Sequence, residues 1–202
     1  MRSGMALVRE IEGLDAPRGG AAFWWLGQMG YAVKVWAGGA PRILYLDPYL
    51  APSPSRQVPP LLAPEEITHA DFLLGSHDHA DHIDPVAVPG IVAASPGCRV
   101  ITSRVARGHV LALGVPPERA IGLDDGLPFE AEGLRITAIP AAHEFLDRDA
   151  AHGFEVAGGC DREPCLDDVD AHARQVQCDL QLLVDVERCA GRLFAVAQRC
   201  VE

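Results

Sequence analysis

Short apolar runs bounded by glycine and proline dominate the first half of the chain. From Ala21 to Val35 apolar and aromatic residues are interrupted by Gly27 and Gly30, and Gly38-Gly39 with Pro41 separates them from Ile43-Leu44-Tyr45-Leu46. Runs this short, closed by such breakers, predict strands joined by a turn. Asp47-Pro48 ends the second run at a loop. Residues 51–64 hold Pro52, Pro54, Pro59, Pro60 and Pro64, which excludes a regular element and predicts a surface loop near the strand ends, placed to cover a site.

Pro64-Glu65-Glu66-Ile67 opens a short helical turn with acidic residues at its start, and Asp71-Phe72-Leu73-Leu74-Gly75 reads as a buried strand. Beyond it the pattern predicts a short helix over Pro85–Val92, a strand at Arg99–Thr102 and a helix from Arg104 to Leu113 closed by Gly114. Leu134–Ile139 alternates apolar and polar side chains, a strand ending at Pro140. Alternation of strand and helix signals argues for an α/β layer architecture.

Composition narrows the class. The 202 residues are 49% hydrophobic and 22% charged, ordinary for one soluble globular domain. A net charge of −11 repels a phosphate backbone, so no nucleic acid is expected as a partner and a small-molecule substrate is. The N-terminus reaches Glu10 before it builds a secretory apolar run, and no stretch approaches the roughly 20 apolar residues of a membrane span. A cytoplasmic protein without a membrane partner is therefore expected; the sequence is silent on oligomeric state. The six cysteines form no CxxC pair, and Cys160, Cys165, Cys178, Cys189 and Cys200 crowd the final quarter. Cys98 reads as a small buried apolar residue.

The chemistry concentrates immediately after the buried strand, in His77-Asp78-His79-Ala80-Asp81-His82. A borderline-soft divalent metal needs imidazole nitrogens and carboxylate oxygens converging at about 2 Å, and this window supplies them. In an extended segment His77 and His79 point the same way and reach one ion. Asp81 and His82, where the chain turns, face a second ion or orient a metal-bound water. Surface histidines in a polar loop are the plainer alternative, disfavoured by this density of metal-capable residues.

Ser76-His77-Asp78-His79-Ala80-Asp81-His82 resembles the H-x-H-x-D-H signature of the metallo-β-lactamase superfamily. Trp25-Leu26-Gly27-Gln28-Met29-Gly30-Tyr31, followed by Leu46-Asp47-Pro48, resembles the opening of the branch that includes L-ascorbate-6-phosphate lactonase. The resemblance implies an αββα sandwich, two mixed sheets between helices with metals at one edge. It implies that His77 and His79 bind one ion and Asp81 and His82 a second. His143 in Pro140-Ala141-Ala142-His143-Glu144 matches the next histidine ligand, and Asp47 a position that supports the site from behind the ligands; as a turn residue Asp47 has a nearly equal alternative reading. One or two divalent ions are expected, zinc first and manganese second. Asp81 is the candidate catalytic carboxylate.

The resemblance runs from about Trp24 to about Gly153, which assigns 1–153 to a metallo-β-lactamase-like domain. Residues 154–202 then form a divergent tail, part of the same domain or disordered, so the sandwich is expected to be incomplete in its second half. No Gly-Asp motif or later ligand histidine follows; Asp161, Asp167, Asp168 and Asp179 are the carboxylates available as substitutes. The implied activity is metal-dependent hydrolysis of a lactone, ester or phosphorylated sugar derivative. A metal-binding protein impaired in catalysis, lacking those ligands, is the alternative.

Overall fold

The computed structural model describes residues 2–16, 18–123 and 127–138, together with the backbone of short strand segments between 147 and 194. Strands β1 (Ala21–Gly27), β2 (Gly30–Ala37) and β3 (Ala40–Leu46) form an antiparallel meander. β4 (Phe72–Leu74), β5 (Arg99–Ser103) and β6 (Ala120–Leu123) extend it in parallel, giving a six-stranded mixed sheet in the order β1-β2-β3-β4-β5-β6. Parallel neighbours need crossovers, and α2 (Ala87–Ala94) and α3 (Arg107–Ala112) supply two of them.

A second, antiparallel sheet contains β7 (Pro128–Ala131) and β8 (Leu134–Ala138), joined on the far side by β11 (Leu182–Val186) and β12 (Leu193–Phe194). β9 (Asp147–Arg148) pairs with β10 (Glu155–Val156) as a separate ribbon. Two cores follow from this layering. Leu73, Tyr45, Val100 and Ala120 face the helices, including Leu7, Val8 and Ile11 of α1 (Met5–Gly13) and Val88 and Ile91 of α2. Phe72, Leu74, Leu44 and Ile101 face the other way, onto Leu134 and Ile136 of the second sheet. A strand covered on both faces is apolar at every position, which is why Phe72-Leu73-Leu74 reads as an unbroken run. The protein is thus a mixed α/β structure in which a helical layer and two sheets are stacked.

At one end of the stacked sheets the β2–β3 and β7–β8 turns pack against each other. Gly38 and Gly133 both have positive φ, 58° and 75°, and a Cβ on Gly38 would stand 2.5 Å from the carbonyl oxygen of Glu132. Only glycine permits that approach.

Some boundaries differ from the sequence expectation. α2 begins at Ala87 rather than Pro85, because the Asp84 side chain accepts a hydrogen bond from Val86 N and holds 84–86 as a turn. α3 begins at Arg107 rather than Arg104, after a turn in which Ser103 Oγ accepts from Ala106 N. The helix α1 and the strands β6 and β7 were not anticipated. Cys98 is fully buried, and burial pushes its thiol pKa up to about 12. Among the described residues no helix is long and apolar enough to cross a membrane.

Candidate metal centre

The histidine motif leaves the C-terminal end of β4 not as the extended segment expected but as a bent loop closing into a helical turn. His79 O accepts from both His82 N (3.0 Å) and Ile83 N (2.8 Å), which brings His82 back over the start of the motif. Gly75 allows the bend, since a Cβ there would stand 2.7 Å from Ile83 Cγ1. The turn, rather than strand alternation, gathers the imidazoles: ring centroids lie 4.5 Å apart for His77 and His79 and 3.9 Å for His77 and His82.

Behind the imidazoles stands Asp47, at the end of β3. Its φ of 40° is a left-handed backbone that aspartate tolerates better than most residues. That kink turns the carboxylate onto the motif: Oδ1 accepts from Ser76 N at 2.8 Å, and Oδ2 lies 3.0 Å from His82 Nδ1. With Nδ1–H donating to Asp47, the lone pair of His82 falls on Nε2. Ser76 Oγ, 3.1 Å from His77 Nδ1, permits the same tautomer at His77. A carboxylate or hydroxyl that fixes the far nitrogen of a ligand histidine is how proteins set imidazole orientation and basicity.

Ser76 Oγ also lies 2.9 Å from His82 Nδ1. It therefore shares with Asp47 the same nitrogen of His82. A serine activated by a histidine–carboxylate pair needs the opposite nitrogen, so this geometry does not make Ser76 a nucleophile.

Asp81 is the outward member of the cluster, its side chain 44% exposed and its Oδ2 3.9 Å from His82 Nε2. A separate carboxylate, Asp84, binds backbone instead: its Oδ2 accepts from Leu50 N and Ala51 N, both at 2.7 Å. It thereby ties the start of the proline-rich loop to the motif. Sequence inspection missed Asp84, although an aspartate preceding Pro85 is a common turn signal.

The donor chemistry fits a divalent cation: three imidazoles and a carboxylate, with two of the imidazoles braced from behind. Among the described residues, however, no three His, Cys, Asp or Glu side chains converge in a metal-holding arrangement. The rings pack against one another, whereas ligation at about 2 Å needs their nitrogens drawn to one point. His143 and the tail carboxylates Asp161, Asp167, Asp168 and Asp179 lie outside the described residues.

Residues 42–162 match a family model described as the beta-lactamase superfamily domain. A protein of Anaeromyxobacter sp. (strain K), named as a metal-dependent hydrolase, is 31% identical over 145 residues, covering 68% of this chain and 49% of the relative. A similarly named protein of Thermococcus onnurineus (strain NA1) is 30% identical over 109 residues, covering 54% of this chain and 44% of the relative. The chain thus spans about half the length of these relatives. A solved structure from Parabacteroides distasonis ATCC 8503, whose name also refers to metal-dependent hydrolysis, has a TM-score of 0.54 at 14% identity. It covers 90% of this chain and 64% of the other, a likeness of fold.

Proposed function

We propose, because this chain belongs to the beta-lactamase superfamily, that it is a metal-dependent hydrolase of a small lactone, ester or phosphorylated sugar derivative. The observation that carries this reading is the gathering of His77, His79 and His82 beside Asp81, with Asp47 braced against His82. The lactonase-like opening around Trp25-Leu26-Gly27 and Asp47-Pro48 favours the lactone within that class.

In this reading His77 and His79 hold one divalent ion and Asp81 and His82 a second, with His143 completing the first set; zinc is the first choice and manganese the second. A bound ion supplies Lewis acidity, lowering the pKa of water and polarising the oxygen under attack. The chain's own groups do the rest. Asp47 holds His82 in the tautomer with its lone pair on Nε2 and keeps the ring from rotating. Asp81 presents a carboxylate toward solvent, where it accepts a proton from water or orients it. His77 and His82 are each only 8% exposed, so their imidazoles meet a substrate in a largely water-excluded wall.

The test is elemental analysis of the purified protein and of a His77→Ala/His79→Ala variant, followed by turnover on a lactone and ester panel. Bound metal lost in the variant, with metal-dependent turnover, is the expected result. Turnover that survives chelation would refute the reading. Stoichiometric metal without turnover would instead favour the impaired metal-binding protein, a reading supported by the incomplete convergence of ligands among the described residues.

A further inference from the structure

A cavity of about 260 Å³ opens between the β1–β2 turn and the proline-rich loop, walled by Trp25, Gly27, Arg56, Val58, Pro59 and Leu61 among others. It is smaller than the roughly 300–1,000 Å³ of pockets that enclose whole drug-sized ligands, so it suits one group of a molecule rather than all of it. Two of its side chains are held in place. The indole of Trp25 is pinned by Nε1 donating to Gln28 O at 2.7 Å. Arg56 donates from Nε to Val58 O and from Nη1 to Tyr49 O, and its guanidinium lies 4.8 Å over the Tyr49 ring.

Those bonds leave Arg56 Nη2 facing the cavity wall at Gly27, where a Cβ would stand 3.5 Å away. A cation with a donor to spare beside the largely apolar lining of an open cavity is complementary to an anion carried on an apolar body. Both segments that wall the cavity are also linked to the histidine cluster. On the far side of the same turn, Gly30 packs so closely on Asp47 that a Cβ there would lie 3.1 Å from Asp47 O. Asp47 in turn holds His82. The other wall is tethered through Leu50 and Ala51 to Asp84, two residues beyond His82.

We infer that this cavity binds the apolar group of a substrate that also bears a carboxylate or similar anionic group, which Arg56 recognises through Nη2. As a specificity site it rests on the proposed hydrolase; as a binding site it does not, and the experiment separates the two. Trp25 fluorescence is titrated with 3-phenylpropionate and with the neutral 3-phenylpropan-1-ol, in the native protein and in the His77→Ala/His79→Ala variant, with Trp25→Phe identifying the signal. Saturable binding of the acid is expected in both, independent of the proposed metal ligands. Arg56→Gln should weaken the acid by about tenfold or more, as expected for a hydrogen bond to a charged group, and leave the alcohol unchanged. Val58→Asp, at a 57% exposed position that tolerates substitution, should repel the acid alone. Absence of saturable binding, or equal affinity for the acid with and without the Arg56 charge, overturns the inference. Loss of binding only in the double histidine variant overturns it too, placing the acid on a metal instead.

Discussion

Replacing Asp84 tests whether the loop that walls the cavity is held by the segment carrying the histidines. Asp84 is wholly buried, and its carboxylate accepts 2.7 Å hydrogen bonds from Leu50 N, Ala51 N and Val86 N. In Asp84→Ala all three amides lose their acceptor. Leu50 N is buried and has no access to replacement water, while the other two are partly exposed and recover some solvation. Leaving the buried Leu50 N unsatisfied costs about 1–3 kcal/mol, and the two partly exposed amides, which regain water, together add about 2 kcal/mol, so a total loss of about 3–5 kcal/mol is expected. With a urea dependence of about 2 kcal/mol per molar, the midpoint should fall by about 2 M. Asp84→Asn keeps one acceptor oxygen and should fall between the two proteins. Because Oδ2 anchors the loop directly, thermolysin should also cut residues 51–60 faster in Asp84→Ala under native conditions. A midpoint shift below about 0.5 M, with unchanged cleavage, would show that the tether does not hold this loop.

Two further substitutions probe the frame. Gly133→Ala places a Cβ 2.6 Å from Gly38 Cα, backbone on backbone at φ 75°, and should cost about 2–4 kcal/mol in urea unfolding. Gly97→Ala, with nothing within 4 Å, should be close to neutral; equal effects at the two positions would refute the packing of the two turns. Burial lowers the pKa of His69, outweighing the opposing influence of Glu12, while Lys34 adds to the lowering and Asp71 opposes it. Tyr45 Oη lies 2.8 Å from His69 Nε2 and favours the neutral ring as donor. A depressed folded pKa means the unfolded chain protonates first, so stability present above about pH 6.5 is lost as the pH falls toward the folded value. His69→Gln should narrow the difference between urea midpoints at pH 7.5 and 5.5; an unchanged difference would refute the assignment.

What the sequence revealed and what it withheld divide along contact distance. The motif from His77 to His82, the apolar run that holds β1 and β2, and strands β3 to β5 announce themselves because their signals are local: close spacing of ligand types, apolar runs, glycine and proline at the ends. α1 also carried a local signal, Leu7, Val8 and Ile11 at helical spacing, but it was short and lacked a side-chain cap. β6 and β7 are only four residues each, too short for a periodic pattern to stand out. Asp47 was expected from the resemblance to support the site from behind the ligands, but its partner His82, 35 positions away, and the left-handed φ that aims it there are visible only in the fold. The expected extended motif failed for a related reason: Gly75 admits a contact with Ile83 that bends the chain, and that contact is visible only after folding.

The aspartates show most clearly why chemistry cannot be read from residue type alone. Asp47, Asp81 and Asp84 carry the same carboxylate, yet burial separates their duties. Asp84, at 0% exposure, is surrounded by backbone amides and is committed to holding the loop. Asp47, its side chain 16% exposed, divides its oxygens between Ser76 N and His82 Nδ1, committed to orienting a ring. Among the described residues Asp81, at 44%, approaches His82 Nε2 at 3.9 Å and retains access to solvent. A charged group bound on all sides cannot exchange partners without a desolvation cost, whereas an exposed one can. That gradient makes Asp81 the member of the three available to an arriving ion or substrate. Under the proposed function it also orders the expected effects: removing Asp84 should act mainly on folding, removing Asp47 on the affinity of the histidines for metal, and removing Asp81 on retention of the second ion and on turnover, with stability preserved.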